Sequence, residues 1–299
     1  MLKFVTLSYK VYIVLYSVLA IVHLAGLLLL HKSKTEVPNQ RILTINLAAV
    51  ELLLCGGTVS TLIVWFSVDN VMILQCLDAF FTNTFFIEMK MAVLHIIFDR
   101  FLEIFINIKY PLYMTRKKML QLLAMHWIFS FVYSIISLVL VAAEKPFASF
   151  QFTYLLFLIL DIMILISSIT TYMYFYTKVH NIRRRESQSK ENGPNIFTKK
   201  FKVPCYIVLT YICFNLTSTI MMMVSQYMKN KRHGLMLLIF SHVFTMVGIT
   251  SDACIYIFAN KNVRKLLSSI CKNRNLTVSN TNNDVRNCSS PTNTNVIEM

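Results

Sequence analysis

The sequence predicts an all-α membrane protein, a bundle of seven helices that each cross a bilayer. Three observations predict it. Of 299 residues, 56% are apolar and only 14% are charged, against about 25% charged in soluble domains. Seven stretches reach the ~20 mostly apolar residues that a helical span needs. The basic residues behind the formal net charge of +15 fall in short breaks between those stretches. A nucleic-acid binder would carry them on a folded polar domain, so no nucleic-acid partner is expected.

The first run, 11–30, follows the residues MLKFVTLSYK, too short and polar to form a signal peptide, and it lacks a small-residue cleavage site. It reads as an uncleaved span behind an extracellular N-terminus, 1–10. Lys32-Ser33-Lys34 separates it from the second run, 42–68. The third, 71–98, and the fifth, 149–177, are the least apolar, with Asp78, Glu88, Lys90 and Asp161 inside them. Arg116-Lys117-Lys118 precedes the fourth run, 119–143, and the stretch from Arg183 to Lys202 precedes the sixth, 203–228. The seventh is 235–259, so the bundle occupies 11–259. The stretch 272–299, rich in Asn, Thr and Ser, has too few apolar residues to fold and is expected to be a disordered cytoplasmic tail. The seven cysteines show no metal-ligand spacing, and no metal or cofactor is expected.

Lys and Arg counts set the direction. With the N-terminus outside, the inner segments hold 22 basic residues and the outer segments six. An odd number of spans then puts the C-terminus in the cytoplasm of a multi-pass plasma-membrane protein.

Ionisable residues inside spans are costly and mark candidate function. Glu51 in the second span and Asp252 in the last lie at depths where two helices can face each other. Two close carboxylates cannot both ionise cheaply. They either share a proton or cation and switch, or form a hydrogen-bonded pair that fixes packing; the sequence leaves both open. Glu88 and Lys90, two apart on a helix, point in different directions and need separate partners. Asp161 suits either a cationic ligand group or Lys90.

Asp99-Arg100-Phe101, at the inner end of the third span, resembles the Asp-Arg-Tyr motif of rhodopsin-like (class A) G-protein-coupled receptors. Other segments resemble that family in order and spacing. Asn46-Leu47-Ala48 precedes the second-span acid Glu51, Trp127 sits in the fourth span, and Tyr176 precedes Arg183-Arg184-Arg185. Asp252-Ala253-Cys254-Ile255-Tyr256 is similar to the seventh-span Asn/Asp-Pro-x-x-Tyr motif. Asn262-Val263-Arg264-Lys265-Leu266-Leu267 resembles the amphipathic eighth helix, here 260–271, and Cys271 at its end is a palmitoylation candidate.

The chain also departs from the family. The sixth-span Cys-Trp-x-Pro motif reads Cys213-Phe214-Asn215-Leu216, Ala253 replaces the seventh-span proline, and Met89 stands where a sodium-binding serine is common. The second outer loop has no cysteine to pair with Cys76. A short unbridged loop is similar to that of melanocortin and lipid-binding members.

The resemblance implies a receptor that passes an extracellular signal to heterotrimeric G proteins by outward movement of the sixth span. It is not expected to be an enzyme. Asp99, Arg100, Tyr176, Asp252 and Tyr256 would form the activation switch. Glu51, Lys90 and Asp252 would form a buried polar core. Asp78, Thr82, Asn83, Asp161 and Phe214, with Gln226 nearer the rim, would line the ligand pocket. Short outer segments suit a small molecule, a lipid or a short peptide. The base of the sixth span, Asn195-Ile196-Phe197, carries no acid to hold Arg100, which implies a weak resting lock and raised basal signalling. The alternatives are a receptor-like protein that does not couple, and a transporter using Glu51, Lys90 and Asp252 as an ion or proton relay. The absence of internal repeats weighs against the second.

Overall fold

The computed structural model describes residues 2–32, 38–67, 71–106, 109–143, 146–186, 205–228, 230–255, 257, 263–265 and 268–269. The elements are all helical. They are α1 (Leu2–Lys32), α2 (Pro38–Ser67), α3 (71–106), α4 (Arg116–Ala142), α5 (Pro146–Glu186), α6 (Cys205–Tyr227) and α7 (Lys231–Cys254). The one-turn helix Tyr110–Tyr113 lies between α3 and α4.

Local chemistry explains where several of these begin. Pro38 and Pro146 open α2 and α5, where a missing N–H costs nothing. Thr115 caps α4 by accepting from Lys118 N–H at 3.4 Å, and Asn230 caps α7 by accepting from Arg232 N–H at 3.0 Å. The helices overrun the apolar stretches. α1 begins at Leu2 rather than 11, α3 runs to Ile106 rather than 98, and α5 to Glu186 rather than 177. An apolar run measures only the hydrocarbon, whereas Lys, Arg and Glu continue a helix readily into water.

Six of these helices are long and apolar enough to cross a membrane: Leu7–Lys32, Arg41–Ser67, Arg116–Ala142, Ala148–Lys178, Cys205–Tyr227 and Arg232–Cys254. α3 differs because it carries charge inward; Glu88, Lys90, Asp99 and Arg100 are all buried. The packing order explains how it tolerates them. α1 packs on α2 and α7, α6 on α5 and α7, and α4 on α5, while α3 packs on α2, α4 and α5. The outward faces of the bundle are apolar, as at Ile21, Ile128 and Ile166. The interior holds the polar groups, the arrangement a lipid solvent demands.

Among the described residues, complete π-turns lie at Asp78–Thr82 in α3 and Tyr211–Leu216 in α6, and Ile255 and Ile257 past α7 are also π-helical. The second turn falls on Cys213-Phe214-Asn215-Leu216, where the sequence lacks the tryptophan and proline of the motif it resembles. A π-turn is, like proline, an identified cause of helix bending. Beside it, a Cβ added to Gly248 of α7 would lie 3.2 Å from both Asn215 Nδ2 and Phe214 Cβ, so glycine lets α6 and α7 approach closely.

The expected amphipathic helix at 260–271 lies largely outside the described residues; 263–265 and 268–269 are helical and Val263 is buried. Tyr256, Cys271 and the tail 272–299 also lie outside them.

Candidate functional site

The polar interior forms clusters along the bundle axis. The first joins α3, α5 and α6. Lys90, 1% exposed, donates from Nζ to Asp161 Oδ1 at 2.6 Å, to Tyr211 OH at 3.0 Å and to Thr219 Oγ1 at 3.1 Å. An ammonium has three protons, so each is used. Tyr211 OH in turn donates to Asp161 Oδ1 at 2.5 Å. Nζ also lies 5.3 Å from the Phe157 ring centre and 5.4 Å from that of Tyr211, within cation–π range. A buried charge persists only when paired and hydrogen-bonded, and Lys90 meets both conditions.

A second cluster braces α2, α3 and α4. Asn46 donates to Glu88 Oε1 at 3.3 Å and accepts from Trp127 Nε1 at 3.2 Å, while Ser130 donates to Glu88 Oε2 at 3.2 Å. Glu88 and Lys90 therefore do point to different helices. Near this brace the rings of His95 and His126 meet edge to face, with centres 4.8 Å apart.

The third cluster joins α1, α2, α6 and α7. His23 Nε2 lies 3.2 Å from the Ile249 carbonyl oxygen, which can only accept, so Nε2 carries a proton. Its Nδ1 lies 3.4 Å from Glu51 Oε2. That contact attracts only if a proton lies between them, on either group. Glu51 also faces Asp252 of α7, and Thr210 donates to Asp252 Oδ1 at 2.6 Å. Two carboxyls thus meet in a dry site, where both cannot ionise cheaply.

The fourth cluster lies at the end of α3. Arg100 pairs with Asp99 and with Glu103 of its own helix. Asp99 accepts a further hydrogen bond from Tyr110 OH, and Asn39 donates to that hydroxyl at 3.3 Å and to the Met114 carbonyl at 2.9 Å. Burial, then the charge of Asp99, push the Tyr110 phenol up, so it stays a donor at neutral pH. Beside Arg100 a groove of about 410 Å³ opens between α3, α5 and α6, lined by Ile97, Ile104, Tyr172, Cys205 and Leu209.

Asn46 and Trp127, Lys90 and Asp161, and Glu51 and Asp252 are thus brought together. Other expected residues are placed apart. Tyr176 is 60% exposed against His180 and has no described contact with Arg100. Among the pocket candidates, Asp78 and Thr82 are the first and last residues of the α3 π-turn. Asn83 turns to Ser137 and Thr153 of α4 and α5, at 3.1 and 3.4 Å. Asp161 is taken by Lys90, and Phe214 packs on Phe244. At this end a cavity of about 210 Å³ lies between α5 and α6, lined by Phe150, Gln151, Tyr154, Met223 and Gln226 among others. The residues missed from sequence are mainly the neutral partners His23, Tyr110, Thr210, Tyr211 and Thr219, with Glu103. Glu103 was findable, because it sits three residues after Arg100 on one helix face.

The model of the 7 transmembrane receptor (rhodopsin family) matches residues 20–256. The chain belongs to the rhodopsin family of seven-transmembrane receptors. No curated protein matches it. Membership makes this a G-protein-coupled-receptor-type signalling protein of the plasma membrane, and members of this family are receptors rather than enzymes. The match covers all four clusters.

Proposed function

We propose that this receptor is a seven-span protein, with its N-terminus outside, that couples a ligand at the Tyr154–Gln226 end of the bundle to a heterotrimeric G protein at the Arg100 end. The first part of the reading adds α3 as a crossing helix. Its charged residues face protein, and the basic residues lie on the side that the Lys and Arg count calls cytoplasmic. The segment 260–271 would then lie along the inner face as an eighth helix, with Cys271 open to palmitoylation.

The observation that carries the coupling reading is Arg100. It is buried at the end of α3, paired only to acids of its own helix among the described residues, beside a groove between α3, α5 and α6. An arginine that must always have a partner can define two states by exchanging partners. In this reading Asp99 and Glu103 hold Arg100 at rest, with Asp252, Tyr176 and Tyr256 as parts of the wider switch. The short outer segments suit a small molecule, a lipid or a short peptide.

With no described acid on α6 to tie Arg100, the resting state is weakly held. Ligand-free nucleotide exchange on G-protein α subunits is expected to exceed that of membranes lacking the receptor, at matched expression. Equal exchange would remove the weak lock.

A second reading, an ion- or proton-linked transporter, draws on the buried row of ionisable groups His23, Glu51 and Asp252. It predicts that Glu51→Gln abolishes uptake of some solute.

A further inference from the structure

The α6 π-turn, Tyr211–Leu216, is bridged by one side chain from another helix. Lys90 Nζ binds Tyr211 OH at the first residue of that turn and Thr219 Oγ1 three residues past its last. The remaining proton is fixed on Asp161 of α5, and Asp161 Oδ1 also takes the Tyr211 proton. The hinge-like segment of α6 is thereby stapled on both sides to a single point on α3 and α5. We propose that Lys90 is a latch that fixes α6 in one arrangement at its π-turn, and that the receptor's transition consists in releasing it. This deepens, and rests on, the reading that α6 moves.

Three features argue for a latch rather than ordinary packing. A π-turn leaves a helix locally less regular and is a preferred site of bending. Bending at Tyr211–Leu216 changes the separation of Tyr211 from Thr219, and one ammonium cannot follow both hydroxyls. The network is closed at Nζ, so loss of either α6 hydroxyl leaves a donor unsatisfied in a dry core. Release is therefore all-or-none, the behaviour a two-state element needs. The groove of about 410 Å³ that adjoins Arg100 is walled by the α6 residues Cys205, Val208, Leu209 and Ile212, so a bend at the π-turn moves that wall directly. Asp161 Oδ2 has no described partner, so the Asp161 side of the latch is not saturated.

The test reads conformation without any G protein. Native Cys205, exposed near the start of α6, carries one spin label. A Leu120→Cys substitution in α4 carries the other, and the remaining reactive cysteines are replaced by serine. The full-length receptor in lipid nanodiscs gives a distance distribution. Two variants are compared with it: Tyr211→Phe/Thr219→Val, which keeps the ion pair but removes both α6 anchors, and Lys90→Met/Asp161→Asn, which removes the pair without leaving a lone charge. Each is expected to raise the population of a longer distance roughly tenfold, as two lost buried hydrogen bonds imply. If both variants fold and keep the parent distribution, Lys90 is a packing element and the latch is wrong. A shifted distribution with no nucleotide exchange would uphold the latch while removing the coupling reading.

Discussion

Lys90→Met is expected to cost about 3–5 kcal/mol of stability, the range for breaking a buried ion pair from one side. The variant leaves Asp161 buried without its counter-ion, with only the Tyr211 hydroxyl as donor. Asp161→Ala should be comparably severe, because Lys90 would keep only two neutral oxygens. The double variant Lys90→Met/Asp161→Asn should recover most of the loss, since no charge remains to be compensated. Thermal inactivation of the purified receptor in one detergent measures all three. If each single variant lies within about 1 kcal/mol of the parent, the pair is not the buried interaction described here.

The second large effect is expected at Glu51, which lies between His23 and Asp252 in the buried core. Glu51→Leu removes the group between an imidazole and a carboxyl in a dry site and should cost about 3–5 kcal/mol. Glu51→Gln should cost about 1 kcal/mol, because an amide N–H can donate to both His23 Nδ1 and Asp252. The contrast between leucine and glutamine, read by the same thermal assay, separates hydrogen bonding from mere volume. Equal loss in both would mean that a titrating proton at Glu51 is itself required.

How much of this was legible beforehand follows a physical pattern. Charged residues in apolar runs announce themselves, so Glu51, Glu88, Lys90, Asp161 and Asp252 were all identifiable, and the pairings Lys90–Asp161 and Glu51–Asp252 were among those weighed. Trp127 and Asn46 were visible as separate motif residues and meet across α2 and α4. Neutral partners were not legible. Tyr211, Thr219 and Thr210 look like ordinary residues of an apolar helix, and only packing shows that their hydroxyls face charge. The π-turns were hidden for a different reason. Such a turn changes the backbone register without any residue type that marks it, and the absence of the tryptophan and proline from Cys213-Phe214-Asn215-Leu216 gives no sign of it. The surroundings of the pocket candidates were not legible either. Asn83 and Phe214 lie at positions where side-chain direction depends on local register, and α3 and α6 each carry a π-turn there.

The central claim is that Arg100 is the residue through which this receptor engages a G protein. Guanine-nucleotide exchange on a panel of G-protein α subunits, in membranes with confirmed surface expression, tests it by comparing the parent with Arg100→Ala. The account predicts exchange above background for the parent on at least one subunit and its loss in the variant. Exchange that persists undiminished in Arg100→Ala would contradict it.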